Sequence, residues 1–152
     1  MNKVFSIVCL ALSASMVLTA PAAAEDEAPA PDIIFPGETA DLSEFVWEKR
    51  PLIVFADSPA DPRYIEQMEF IAEGLDDLAD RDVVVFTDTS RSEGSALRDK
   101  LRPRGFMLVL IAKDGTIYLR KPAPWDVREI SRVIDKLPTR QQEVRDRRGG
   151  NS

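Results

Sequence analysis

At 152 residues, with 44% apolar residues, the chain has the size and composition of one domain around a single buried core. Its 26 acidic against 20 basic residues leave a net charge of −6, which argues against a nucleic-acid backbone as partner. One cysteine and no histidine exclude an internal disulfide and zinc sites of the usual Cys/His type.

Residues 1–24 read as a signal peptide: Asn2 and Lys3 open it, residues 4–18 are mostly apolar, and Ala22, Ala23 and Ala24 suit cleavage after Ala24. The apolar run is shorter than the roughly 20 residues needed to cross a bilayer, so no membrane span is expected in the mature form. Lipoprotein attachment at Cys9 is disfavoured, because Ser6-Ile7-Val8 lacks both the leucine and the small residue such a site uses. Cys9 then departs with the leader. The mature chain is expected in the periplasm or outside the cell, without a thiolate nucleophile or an imidazole base.

Residues 25–40, with Pro29, Pro31, Pro36 and flanking acids, read as an extended leader without a fixed fold. A domain over 41–138 follows. Leu42, Phe45 and Val46 are spaced for one or two helical turns, ended by Arg50-Pro51. Residues 52–56 (LIVFA) are a buried strand, central in its sheet. Asp61 caps a helix with Pro62 at its first position, and Tyr64, Met68, Ile71, Ala72, Leu75 and Leu78 mark its apolar stripe. A second buried strand spans 82–87. Ser90-Arg91-Ser92-Glu93 matches a capping box opening a helix through Leu97 and Leu101, which Pro103 closes. Residues 106–112 form a third strand, returned through the Asp114-Gly115 turn into an antiparallel strand over 117–120. Val127, Ile130, Ile134 and Leu137 define a last helix ended by Pro138. The charged tail, 139–152, is expected to be frayed or disordered. This β-α-β-α-β-β-α order gives an α/β fold: a mixed sheet of about four strands, with the hairpin beside its first strand and helices on both faces.

That order resembles the thioredoxin fold, a three-layer sandwich. Arg104-Gly105-Phe106-Met107-Leu108-Val109-Leu110-Ile111-Ala112-Lys113-Asp114-Gly115 is similar to the thioredoxin stretch Arg-Gly-Ile-Pro-Thr, an apolar strand and Lys-Asn-Gly. Two departures matter. Where thioredoxins place Cys-x-x-Cys this chain has Asp57-Ser58-Pro59-Ala60-Asp61-Pro62, and Met107 stands where they place the substrate-facing proline. Dithiol exchange and a peroxiredoxin-like peroxidase both begin at a cysteine thiolate, which the mature chain lacks. The opening Trp47-Glu48-Lys49-Arg50-Pro51-Leu52-Ile53-Val54-Phe55-Ala56, the Lys113-Asp114-Gly115 turn and the Pro138-Thr139-Arg140 exit resemble an exported thioredoxin-fold family, domain of unknown function 4174. That resemblance implies a fold without an agreed activity.

Asp57, Ser58, Asp61, Arg63 and Tyr64 fall at a strand's carboxyl end and a helix start, where this fold presents chemistry. With Met107, the first four form a candidate surface for a protein or peptide partner. Turn and cap chemistry also accounts for Asp57, Ser58 and Asp61, and Tyr64 belongs to the apolar stripe. An anion at the helix N-terminus beside Arg63 would meet repulsion from Asp57 and Asp61. Asp57, Asp61 and Asp88 are too few for a calcium site. The clusters Arg98, Lys100, Arg102, Arg104 and Arg140, Arg145, Arg147, Arg148 are solvated faces or contacts for an acidic partner or anionic lipid. Trp47 and Trp125 are expected to pack. No catalytic residue, cofactor or metal site is expected. A non-catalytic binding module leads, with a thiol-independent enzyme and an acidic cation-binding domain as alternatives.

Overall fold

The apolar runs at 52–56, 82–87 and 106–112 become three adjacent strands, because only the middle of a sheet buries β-branched side chains on both faces. The structure is a computed structural model that describes residues 31–38 and 40–150. The expected signal peptide, Cys9 and residues 25–30 of the leader lie outside the described residues. The strands are β1 (Ile34–Pro36), β2 (Arg50–Phe55), β3 (Val83–Asp88), β4 (Met107–Ile111) and β5 (Ile117–Lys121), in the order β1-β3-β2-β4-β5. Strands β1 and β2 run parallel to β3, while β4 is antiparallel to β2 and β5 to β4. The hairpin therefore lies beside the first predicted strand, as expected.

Five strands form rather than about four. The additional one, β1, comes from the supposed leader: Ile33 and Ile34 pack on the core, and the Val85 amide donates to the Ile33 carbonyl at 2.7 Å. Pro36 hid it in the sequence, yet a proline is tolerated on an edge strand, where one face of the backbone needs no partner.

Helices α1 (Pro62–Glu73), α2 (Leu75–Ala79) and α4 (Val127–Asp135) cover one face of the sheet. Ile71, Leu78, Ile130 and Ile134 meet Leu52, Val54, Val85, Leu108 and Leu110 there. The other face is covered by α3 (Ala96–Leu101) and a 3-10 turn over Leu42–Phe45, through Leu42, Leu97 and Leu101 against Ile53, Phe55, Val84 and Val109. Successive strand residues alternate between the two clusters, as the pleat requires.

Two helix boundaries differ from expectation, each for a local reason. The long helix breaks at Gly74, which separates α1 from α2 and lies against Val127 of α4. A Cβ at Gly74 would stand 2.5 Å from Val127 Cγ1. Gly74→Ala is expected to lower stability by about 1–3 kcal/mol through overpacking. In urea denaturation its cost should shrink in a Val127→Ala background, and full additivity would show that the contact is not the cause. Helix α3 starts after Ser95, not Ser90: the Ser95 hydroxyl accepts from the Arg98 amide at 3.1 Å. Residues 90–95 instead form a turn through Gly94, whose φ is +62°.

The tail is the largest correction. Residues Pro138–Gly149 form helix α5, with Pro138 at its first position rather than ending its predecessor. Its anchor is ionic. Glu143 accepts from Arg50 Nη2 at 2.8 Å and lies 3.0 Å from Lys113 Nζ, and buried Arg140 pairs with Asp80 at 2.8 Å. A periodicity search sees nothing of this, because the side chains that dock the helix are charged.

Candidate functional site

Strands β2 and β3 end side by side, and the chain leaves β2 through residues 56–61 to enter α1. Asp61 caps that helix, its Oδ1 accepting from the Arg63 amide at 2.9 Å. The Arg63 guanidinium folds back on the same carboxylate, Nε at 3.1 Å from Oδ1 and Nη2 at 2.8 Å from Oδ2. These side-chain bonds hold the Asp61 carboxyl below the usual range and raise the Arg63 guanidinium. Ser58 Oγ accepts from the Ala60 amide at 3.1 Å. Asp57, Ser58, Ala60, Asp61, Pro62 and Arg63 line one open hollow.

Met107 does not join them. It opens β4 opposite Phe55, and the pleat that turns Phe106 toward α1 turns Met107 to the other side, against the cluster containing Leu97 and Leu101. Arg63 lies over the Phe106 ring at 5.6 Å, while Met107 Sδ faces Arg120 Nη1 at 3.8 Å. Tyr64 packs partly buried against the α1-side core, as its stripe position predicts.

Beneath the hollow is a group that sequence reasoning did not assemble. Asp88, 1% exposed at the end of β3, takes Arg98 Nε on Oδ1 at 2.8 Å and the Ser95 hydroxyl on Oδ2 at 2.5 Å. Arg98 Nη2 donates to the carbonyls of Ala56, at 2.5 Å, and Asp88, at 3.1 Å. One guanidinium thus ties the ends of β2, β3 and α3 together. Its outer edge faces Asp57, whose Oδ1 is 3.8 Å from Arg98 Nη1 and whose Oδ2 accepts from Arg91 Nη1 at 3.2 Å. The sequence places Arg98 in a basic cluster expected to be a solvated face or a partner contact. The signal against that was its place on the Leu97–Leu101 face of a helix, where a solvated side chain does not belong.

Asp61 is paired with Arg63, Asp88 with Arg98, and Asp57 with Arg91 and the outer edge of Arg98, so all three carboxylates face arginines and not one another as cation ligands. Among the described residues, no group of three or more His, Cys, Asp or Glu side chains is arranged to hold a metal. An anion at the α1 N-terminus would find Arg63 already paired. The tryptophans divide: Trp125 packs against the core under Lys121 Nζ, 4.6 Å above its ring, whereas Trp47 is 67% exposed on left-handed backbone with φ 69°.

Residues 41–143 match the family described as Domain of unknown function (DUF4174). The chain belongs to the DUF4174 family. This DUF4174 domain is similar to the reduced 2-Cys peroxiredoxin of Plasmodium vivax, with a TM-score of 0.56 at 16% identity over 68% of this chain and 85% of that one. It is also similar to thioredoxin peroxidase I of Plasmodium yoelii, with a TM-score of 0.52 at 18% identity over 68% and 80%. At such identities the likeness establishes the thioredoxin-like, peroxiredoxin-like α/β fold and nothing about chemistry. No curated protein matches the sequence. No helix among the described residues of the DUF4174 chain is long and apolar enough to cross a membrane.

Proposed function

We propose that this chain is an exported, non-catalytic binding module that holds a protein or peptide at the hollow beside the carboxyl end of β2. The observation that carries the reading is the mutual satisfaction of Asp61 and Arg63 at the start of α1. The fold offers its reactive centre there, and here a closed ion pair stands in an open, preformed surface. The peroxiredoxin and thioredoxin peroxidase it resembles carry names for chemistry that starts at a thiolate. This chain's one cysteine, Cys9, falls in the segment read as a removed leader. Export to the periplasm or beyond the cell rests on that same segment.

Photo-crosslinking side chains introduced at Ser58 and Ala60, both exposed in the hollow, test the proposal against Lys136, exposed at the end of α4. In the exported protein, polypeptide adducts are expected at the first two positions and not at the third. Equal yields at all three would overturn the assignment of the surface. Recovery of the protein with residues 1–24 attached and confined to the cytoplasm would overturn the location.

A further inference from the structure

Arg102, Arg104 and Arg120 are exposed at the end of the sheet where β4 begins and β5 closes, a cationic patch whose three arginines form no ion pair among the described residues. Arg50, Arg81, Arg98, Lys113 and Arg140 are matched to carboxylates, and the exposed Arg145 and Arg148 share α5 with Glu143 and Asp146. The segment that follows Arg98, from Asp99 to β4, differs. Its one carboxylate, Asp99, forms no ion pair with these three arginines among the described residues. Arg120 reaches in from β5: its Nη1 donates to the Leu101 carbonyl at 2.6 Å and lies against Met107 Sδ, so its guanidinium spans the gap that residues 102–106 bridge. Lys100 stands at the margin of the patch, within electrostatic reach of Asp41.

Arg102 carries a second sign. It caps α3 in the left-handed region, at φ 48° and ψ 56°, where glycine is the least strained choice. A charged, exposed side chain held there on strained backbone points to use of the side chain, since the turn itself would be better made without it.

We infer that this patch docks an acidic, carboxylate-rich segment of a partner polypeptide. Arginine's planar fork matches carboxylates two bonds at a time. A short segment meets only the patch, because at physiological ionic strength fields fade over about 8 Å. An anionic membrane is an extended plane and would also meet the acidic remainder of a chain whose net charge is −6. The patch shares an end of the sheet with the hollow, but the inference stands on the unmatched arginines and not on what the hollow binds.

The test is fluorescence anisotropy of a fluorescein-labelled oligoglutamate peptide titrated with the protein. Arg102→Gly with Arg104→Gln removes two charges, relieves the left-handed strain and leaves the Arg120 bond to α3 in place. It should weaken binding about tenfold, while circular dichroism and thermal unfolding show a chain no less stable. Arg145→Gln with Arg148→Gln makes the same change in net charge on α5. That helix is anchored at Arg50, the opposite end of β2 from Phe55 and Met107, so binding should be nearly unchanged. The inference is overturned by equal losses in both variants or by no loss in the first. It is equally overturned if phosphatidylglycerol vesicles sediment the protein while oligoglutamate does not bind.

Discussion

Glu143→Ala is expected to lower the unfolding free energy by about 3 kcal/mol, the low end of the range for breaking a buried ion pair. Arg50 is the reason. Its side chain is 0% exposed, and Glu143 is its carboxylate partner, with Arg50 Nη1 otherwise donating to the Arg81 carbonyl and Nη2 approaching Thr139 Oγ1 at 3.4 Å. Alanine at 143 leaves that guanidinium, which water cannot reach, without a carboxylate, while Lys113 Nζ keeps Asp82 at 2.8 Å. The low end applies because Glu143 itself keeps 24% of its side-chain exposure, so part of the field is already screened. Thermal unfolding by circular dichroism should show a midpoint lowered by roughly 10 °C. Arg147→Ala is the control: it pairs with Asp80 in the same network, but both side chains are more than half exposed, and the change should be near zero. A loss below about 0.5 kcal/mol for Glu143→Ala would place that pair with surface ion pairs and remove the proposed anchor of α5.

The same network makes stability pH-dependent. Burial pushes the Glu143 carboxyl up, but the hydrogen bonds from Arg50 and Lys113 outweigh it and hold it below its ordinary 4.5. Asp80 is likewise raised by burial and drawn below 3.8 by Arg140 and Arg147. A carboxyl with a lowered folded pKa takes up its proton more readily when unfolded, so stability is full above the unfolded value and falls as pH drops through the folded one. Wild type should weaken below about pH 4.5, and Glu143→Ala should flatten that slope.

The parts legible in the sequence were those governed by apolar periodicity. The runs over 52–56, 82–87 and 106–112 could only be central strands, and the stripe Val127, Ile130, Ile134 could only face the sheet. What escaped was held by charge or by backbone pairing that leaves no periodic side-chain pattern. Strand β1 is three residues long and rests on Ile33 and Ile34 beside prolines that argue for a linker. Helix α5 buries Arg140 in place of an apolar stripe, and a buried arginine is indistinguishable from a solvated one until its partners are in place. The candidate surface divided along the same line. Asp57, Ser58, Asp61 and Arg63 are close in sequence and stayed together in space. Met107 came by alignment alone, and the alternation of β4 placed it on the other side of the sheet.

Arg98 should prove the most sensitive side chain near that surface. Arg98→Ala is expected to cost about 3–5 kcal/mol, since Asp88, 1% exposed, would lose its charge partner and keep only the Ser95 hydroxyl and a long contact from the Ser90 amide. Folding loss alone would be consistent with any buried residue, so the discriminating variant is Arg98→Lys. An ammonium keeps the charge, but it cannot donate at once to Asp88 Oδ1 and to the carbonyls of Ala56 and Asp88 as the guanidinium does through two nitrogens. Arg98→Lys should therefore remain folded while the turn over residues 57–61 loosens, because Ala56, where that turn begins, is held on its carbonyl side by Arg98 and on its amide side by the Asp88 carbonyl at 3.0 Å. Amide hydrogen exchange should quicken at Ala60 and Asp61, whose N–H groups are bonded within the turn, and stay unchanged in β4. Unaltered exchange at those two amides in Arg98→Lys would mean that the turn holds its own shape, and that the buried arginine closes the gap between β3 and α3 without setting the surface above it.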